Sequence, residues 1–143
     1  MKIVFFVENN RAGGMDSFFI NVINNWPSDE DNIVLICNES HPGLTNIKDA
    51  VIRNIDFIDI DLPLNWVISE KYFGWLPNTI RRATQPILKI ILFPYQLRKL
   101  KELFAMLDAD RLMVVNGAYP GGESCRAATI AWAKIGKTIS IHN

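Results

Sequence analysis

Short apolar runs alternate with longer amphipathic segments along most of the 143-residue chain. The apolar runs are rich in Val, Ile and Phe, which is typical of strands that are buried on both faces of a parallel sheet. In the third run apolar and acidic positions alternate, so we expect that strand to be more exposed and to lie near an edge. The pattern predicts five strands, at residues 3–7, 33–37, 55–62, 111–115 and 138–141.

Between these runs, apolar residues recur at helical spacing. Asp16 or Ser17 stands at the start of the first such segment, where a short polar side chain can cap a helix. The last segment is rich in alanine, which allows close packing of a helix on a sheet. The pattern predicts helices at residues 15–26, 48–53 and 123–134.

The stretch from residue 63 to about residue 107 is predicted to be long and irregular. It contains Pro77, Pro86 and Pro94, and proline inside a helix removes a hydrogen bond and clashes with the preceding turn. We therefore expect the prolines to break the stretch into pieces. Only the last piece, with leucines and Phe104 at helical spacing, is predicted to be a regular helix.

Strands that alternate with helices predict a parallel sheet with helices on both faces. With right-handed crossovers, this is an α/β, doubly wound, Rossmann-like fold. The last predicted strand has no helix after it to cover it. We therefore interpret the chain as one domain, residues 1–143, of a longer protein.

The formal net charge is zero, which argues against a nucleic-acid partner, because domains that bind phosphate backbones carry a basic excess. Cys37 and Cys125 lie far apart in apolar surroundings, so we expect buried free thiols in a reducing compartment. The sequence shows no signal peptide and no apolar run long enough to span a membrane. These observations predict a cytoplasmic protein.

The zero net charge conceals a strongly basic segment, residues 71–101. It holds seven basic residues and no acidic one, together with several aromatic side chains. Such a segment can lie on the anionic inner face of a membrane or receive an anionic acceptor. The alternative is a packed helix pair whose basic face is simply solvated.

Glycine-rich and polar residues follow the predicted strands at their carboxyl ends, which is where open α/β sheets bind ligands. Gly13 and Gly14 stand where a loop enters the first helix. Glycine lets a ligand approach the backbone, and a helix N-terminus offers N–H groups to a phosphate. The alternative is that the pair only makes a tight turn between strand and helix.

A second glycine-rich loop follows the fourth strand and opens the last predicted helix, where Glu123 suits the helix dipole. The alternative is that this loop only starts the helix and binds nothing. His142 follows the fifth strand, and a histidine with its ordinary pKa of about 6.5 suits acid–base work or a hydrogen bond to a hydroxyl. The loop supplies the candidate substrate-binding residues Asn116, Gly117, Tyr119, Gly121 and Gly122.

Three motifs, in this order, resemble the N-terminal domain of the retaining glycosyltransferases of family four, which have the two-domain GT-B fold. The first is the opening strand that leads through residues 9–14 into an amphipathic helix. The second, residues 107–117, is similar to the strand before the family's acceptor-side loop. The third, residues 131–142, is similar to the family's helix, Gly-Lys turn and strand ending in His. The resemblance covers essentially the whole chain.

The resemblance implies an enzyme that transfers a sugar from a nucleotide-sugar donor to a glycan or lipid-linked acceptor, in surface polysaccharide synthesis. It implies that Gly13 and Gly14 approach the donor diphosphate or the acceptor, and that His142 is a catalytic residue that orients hydroxyls near the transferred sugar. It implies neither a bound metal nor another cofactor. Many relatives carry Glu soon after the glycine pair, whereas this chain has Met15 and Asp16.

In the family, a C-terminal domain holds the nucleotide sugar and a pair of glutamates. That domain is not contained in these 143 residues, so we expect the piece alone to be inactive.

Two other classes of protein stay open. A dinucleotide-binding oxidoreductase domain also begins with strand, glycine-rich turn and helix, and Glu39 could mimic its ribose-binding acid. The chain lacks the third glycine of that fingerprint. A non-catalytic α/β binding module, such as a receiver domain, needs more acidic residues after the first strand and a Lys after the fifth.

Overall fold

The computed structural model of the chain describes residues 1–8, 12–115 and 122–137, and the backbone of residues 140–142. Strands and helices alternate through these residues, as the hydrophobic pattern predicts. The elements are β1 (Lys2–Val7), α1 (Gly14–Asn24), β2 (Asn32–Asn38), α2 (Leu44–Ala50), β3 (Asp56–Ile60), α3 (Asn65–Phe73), α4 (Asn78–Leu107), β4 (Arg111–Val115), α5 (Glu123–Lys134) and β5 (Ser140–His142).

The strands form one parallel sheet in the order β3-β2-β1-β4-β5. The sheet confirms the predicted α/β, doubly wound, Rossmann-like class, and β3 lies at an edge as expected. The strand order reverses between the central strands β1 and β4, where Val7 is in register with Val115. Their carboxyl ends therefore flank the crevice in which sheets of this class bind ligands.

Alternate side chains of β1 enter two separate cores, because successive residues of a strand point to opposite faces. Val4 and Phe6 pack with α4 and α5 on one face of the sheet. Phe5 and Val7 pack with α1 and α2 on the other face. The helices thus cover both faces, and the predicted two-sided burial of β1 is confirmed.

The prediction that residues 63–107 are irregular is wrong. Of the three prolines, only Pro77 separates two pieces, α3 and α4, and the helix predicted at the end of the stretch is confirmed. Residues 78–107 form the single helix α4, which contains Pro86 and Pro94, whereas Pro77 is its N-cap. The inner side of α4 is buried at Gln96, Leu100 and Phe104, and the Phe104 ring meets the Trp132 ring edge-on at 5.6 Å. Each proline costs a helix about 3 kcal/mol, and each buried Leu or Phe returns about 1.5–3 kcal/mol. Packing therefore outweighs the local preference.

Helix α1 begins at Gly14 with Gly13 as its N-cap, so neither Asp16 nor Ser17 occupies the cap position. Asp16 instead lies three residues inside and accepts the Gly13 N–H at 3.0 Å, which is one half of a capping box. Cys37 and Cys125 are both buried free thiols, as predicted. Among the described helices, none is long and apolar enough to cross a membrane.

Candidate functional site

Buried polar side chains collect at the carboxyl edge of the sheet. Seven polar or charged residues are buried in the described part of the chain, and five of them lie at this edge. Burying such groups is costly unless they are hydrogen-bonded, so their concentration at one edge makes that edge the candidate functional site. Glu8 follows β1, Asn38 ends β2, and His41 lies in the loop after β2. Asp16 and Ser124 stand in the first turns of α1 and α5.

Asp16 and His41 form a buried pair that joins the start of α1 to the loop after β2. The His41 Nε2 atom lies 3.0 Å from Asp16 Oδ1, and the two side chains are 1% and 2% exposed. The second oxygen, Oδ2, accepts the N–H of Gly13. Asp16 therefore holds the loop before α1 and the loop after β2 in one fixed arrangement.

Gly43 lies directly against this pair. A Cβ atom added at Gly43 would stand 2.2 Å from Asp16 Oδ2 and 3.0 Å from His41 Nε2, which no side chain can occupy. The turn that holds His41 and Gly43 is thus shaped to bring the backbone onto the buried pair. Glycine at this position has a structural explanation within the chain itself.

Gly13 and Gly14 differ from Gly43, because a Cβ atom at either would meet nothing within 4 Å. Packing in the described residues does not explain glycine at these positions. None of the described residues accepts a hydrogen bond from the N–H group of Gly14 or Met15. The N-terminus of α1 therefore presents bare backbone donors and a partial positive charge beside the crevice.

The N-terminus of α5, across the crevice, is filled by the chain's own carboxylate. Glu8 Oε2 accepts the Ser124 N–H at 2.8 Å and is hydrogen-bonded by the Ser124 hydroxyl. Glu8 is 2% exposed, and burial raises the pKa of its carboxyl, while the bonds from Ser124 oppose that rise. Gly122 is the N-cap of this helix.

An open groove of about 460 Å³ runs between α4 and the first turn of α5. Its walls are mainly apolar, with two cations at the rim. Lys89 Nζ lies 3.1 Å from Glu123 Oε1 and Arg126 Nη1 lies 3.7 Å from Glu123 Oε2, so two cations share one carboxylate. The apolar lining comes from α4: Pro86, Ile90, Phe93 and Pro94.

The structure brings Gly13, Gly14 and Gly122 to the same edge of the sheet, at the starts of α1 and α5. His142 belongs to β5, where it is in register with Val114 of β4. The other predicted substrate-binding residues, Asn116, Gly117, Tyr119 and Gly121, lie outside the described residues.

Sequence reasoning missed the Asp16–His41 pair and the role of Glu8. In the sequence, Asp16 stood out only as a possible helix-capping residue, and His41 was not among the candidate site residues. The pairing joins residues 25 positions apart, so neither local pattern could reveal it. Within residues 1–8, 12–115 and 122–137, no three His, Cys, Asp or Glu side chains group in a way that could hold a metal ion.

The described residues form a parallel, Rossmann-like α/β domain whose candidate site lies where β1 and β4 end, the position at which folds of this class bind ligands. No protein-family model matches the chain, and no curated protein sequence matches it. Among solved structures, the chain is similar to the apo form of the lipopolysaccharide outer core galactosyltransferase WaaB, at 19% sequence identity and a TM-score of 0.49. That match covers 99% of this chain and 33% of the other, so the chain spans about one third of that protein's length.

Proposed function

We propose that this chain is the acceptor-side domain of a nucleotide-sugar-dependent glycosyltransferase with the GT-B architecture. The three motifs that resemble family four run into one edge of the sheet. The first leads into α1, the second contains β4, and the third ends in β5 at His142. The start of α1 and the carboxyl ends of β4 and β5 lie at the edge of the sheet where this fold class binds ligands, which supports the proposal.

The observation that carries the proposal is the bare N-terminus of α1. Gly13 and Gly14 have open space where side chains would stand, and the N–H groups of Gly14 and Met15 point out of the helix without an acceptor in the described residues. A diphosphate or a sugar hydroxyl is the kind of ligand that uses such donors. A side chain at Gly13 or Gly14 would occupy the space through which such a ligand approaches these N–H groups.

In the proposed reaction, the oxygen of an acceptor hydroxyl forms a bond to the anomeric carbon of the donor sugar, and the bond from that carbon to the diphosphate breaks. The hydroxyl proton passes to the departing diphosphate. The N–H groups at the start of α1 stabilise the departing diphosphate or orient the acceptor. Asp16 keeps these groups in place through its bond to the Gly13 N–H. His142 orients hydroxyls of donor or acceptor, and the nucleotide is held by a second domain.

The groove between α4 and α5 is the proposed acceptor site. Its apolar lining and its Lys89–Glu123–Arg126 rim suit a glycan or lipid-linked acceptor that carries a negative charge beside apolar carbons. The rim begins at Glu123, the first residue of α5, and therefore lies near the crevice. Surface polysaccharide synthesis, at the inner face of the membrane, is the proposed setting.

The test uses the full-length protein with a panel of nucleoside-diphosphate sugars, measuring transfer and donor hydrolysis. Gly14→Ala should lower turnover at least tenfold, because the new methyl group fills the space that the ligand needs. Its melting temperature should stay unchanged or rise slightly, since Ala suits a helix better than Gly by about 1 kcal/mol.

Gly136→Ala is the matched control, because Gly136 follows α5, away from the carboxyl edge of the sheet, and adopts a positive φ of 79° that strains any other side chain. It should lower the melting temperature, and any loss of turnover should follow the loss of folded protein. Full turnover in Gly14→Ala would remove the α1 N-terminus from the site. Binding of NAD in place of every nucleotide sugar would replace the proposal with an oxidoreductase domain.

A further inference from the structure

Residues 65–95, here termed the arm, form a helical hairpin that is poorly buried. The arm consists of α3 and the first part of α4, and Ser69 is its only buried residue. The last part of α4, in contrast, buries Gln96, Leu100 and Phe104. Segments with few buried side chains open at low free energy, so the arm is the part of this helix pair that can move.

The arm joins the rest of the domain at two neighbouring points, Pro63 and Pro94. The Gln96 Nε2 atom, two residues after Pro94, donates to the Pro63 carbonyl oxygen at 2.8 Å, so the two points lie side by side. Pro94 lacks the N–H that would bond the Ile90 carbonyl, and sharp bends in helices occur mainly at proline. The two prolines therefore define a base about which the arm can pivot.

Buried polar atoms at and near this base have no hydrogen-bond partner among the described residues. They are Trp66 Nε1, Ser69 Oγ and Gln96 Oε1, which are three of the four such atoms in the described part of the chain. The Gln96 amide cannot turn over to satisfy its oxygen, because its nitrogen is needed by the Pro63 carbonyl. A buried polar atom without a partner costs free energy, and water supplies the partner once the atom is exposed. Opening the arm removes part of this cost.

Contacts from α3 hold the arm together as one body. The side chains of Asn65 and Gln85 bond to each other next to Pro86, and Arg81 pairs with Glu70 further along the arm. These contacts cross from α3 to α4 on either side of the region around Pro86. They splint the first part of α4, so bending is directed to the proline at the base.

An ion pair fastens the arm to α5. Lys89 Nζ, in the arm, lies 3.1 Å from Glu123 Oε1, in the first turn of α5, and the two side chains are only 31% and 21% exposed. Both residues line the groove of about 460 Å³ between the two helices. The pair therefore joins the two walls of the groove.

We propose that the arm opens and closes about Pro63 and Pro94, with the Lys89–Glu123 ion pair as its latch. Opening separates the walls of the groove, because all of the groove's α4 residues belong to the arm. The movement stands on the contacts of the arm alone. Its link to sugar transfer, as the gate through which an acceptor enters the groove, rests on the function proposed above.

Distance measurements between spin labels in the full-length protein test the movement. Labels at Ile80→Cys and Ile130→Cys report on the arm relative to α5, because both side chains are exposed and the native thiols are buried. Ile80 lies about 21 Å from Pro94 along the helix, so a bend of about 20° moves it by about 7 Å. Met106→Cys with Ile130→Cys is the reference pair, since Met106 is exposed and lies in the anchored part of α4.

The arm pair should give two distances, closed and open, whereas the reference pair should give one. Lys89→Gln should raise the ratio of open to closed arm roughly threefold, because it breaks the latch. Lys101→Gln is the matched control and should leave the ratio unchanged. Lys101 lies on the same helix, is exposed and forms no ion pair within the described residues. Ser69→Ala should lower the ratio roughly threefold, because it removes a buried hydroxyl that has no partner there.

These measurements need neither donor nor acceptor, so failure of every nucleotide sugar in the transfer assay would leave them unaffected. A single, unchanged distance for the arm pair in Lys89→Gln would overturn the proposal. So would a second distance in the reference pair, which would place the movement outside the arm. A larger open fraction in Ser69→Ala would show that the hydroxyl stabilises the closed arm, and would also overturn it.

Discussion

Asp16→Ala is the sharpest test of the buried pair at the carboxyl edge. The Asp16 side chain is 2% exposed and accepts two hydrogen bonds, from the Gly13 N–H and from His41 Nε2, each at 3.0 Å. Alanine removes both acceptors. Gly13 is exposed, so its N–H can bond to water at a cost of about 0.5–1 kcal/mol. The bond to buried His41 is lost without such replacement, at a cost of about 1–2 kcal/mol. We expect a loss of about 1.5–3 kcal/mol in the free energy of unfolding.

Urea unfolding, followed by circular dichroism, measures this loss. Asp16→Asn keeps one acceptor oxygen and should cost less than Asp16→Ala. A double-mutant cycle with His41→Ala should give a coupling energy on the order of 1 kcal/mol, because the two side chains contact each other. Asp29→Ala is the control, since Asp29 is fully exposed and 3.7 Å from Arg53. It should change stability by about 0.5 kcal/mol or less. A loss below that value for Asp16→Ala would refute the reasoning.

Two further predictions concern buried titratable groups. Burial raises the pKa of Glu8 above its ordinary value of 4.5, so its contribution to stability is present below that pH and is lost as the pH rises through the folded-state pKa. Glu8→Gln should flatten this fall in urea titrations between acidic and neutral pH; an unchanged pH profile would contradict the assignment. Burial also raises the pKa of Cys37 to about 12 and that of Cys125 well above its ordinary value. Thiol reagents at pH 8 should label both only on unfolding, and fast labelling of the native protein would show that the sites open.

The elements with the strongest hydrophobic pattern were predictable from the sequence. The bounds of β4 and α5 match the predicted residues, because each apolar run is framed by a clear change in composition. Helix α4 was predictable only over its last turns, because Pro86 and Pro94 point to local breaks whereas the helix is stabilised by contacts with α5 and the sheet. Local propensity is a weak guide wherever packing over many residues opposes it.

The candidate site divides in the same way. Its location followed from the fold class, since the carboxyl ends of parallel strands define one edge. Its internal contacts could not be predicted. Asp16 and His41 are 25 positions apart in the chain, and Glu8 and Ser124 are 116 positions apart. Such pairs become visible only when the strands are aligned. The predicted role of His142 stays a prediction.

The two helix N-termini at the crevice differ in what they can still bind. In α5, the carboxylate of Glu8 already takes the Ser124 N–H and hydroxyl, so an anion there would meet a buried acid and few remaining donors. In α1, none of the described residues accepts the N–H groups of Gly14 and Met15, and Asp16 uses its oxygens on Gly13 and His41. A diphosphate is therefore better accommodated at α1.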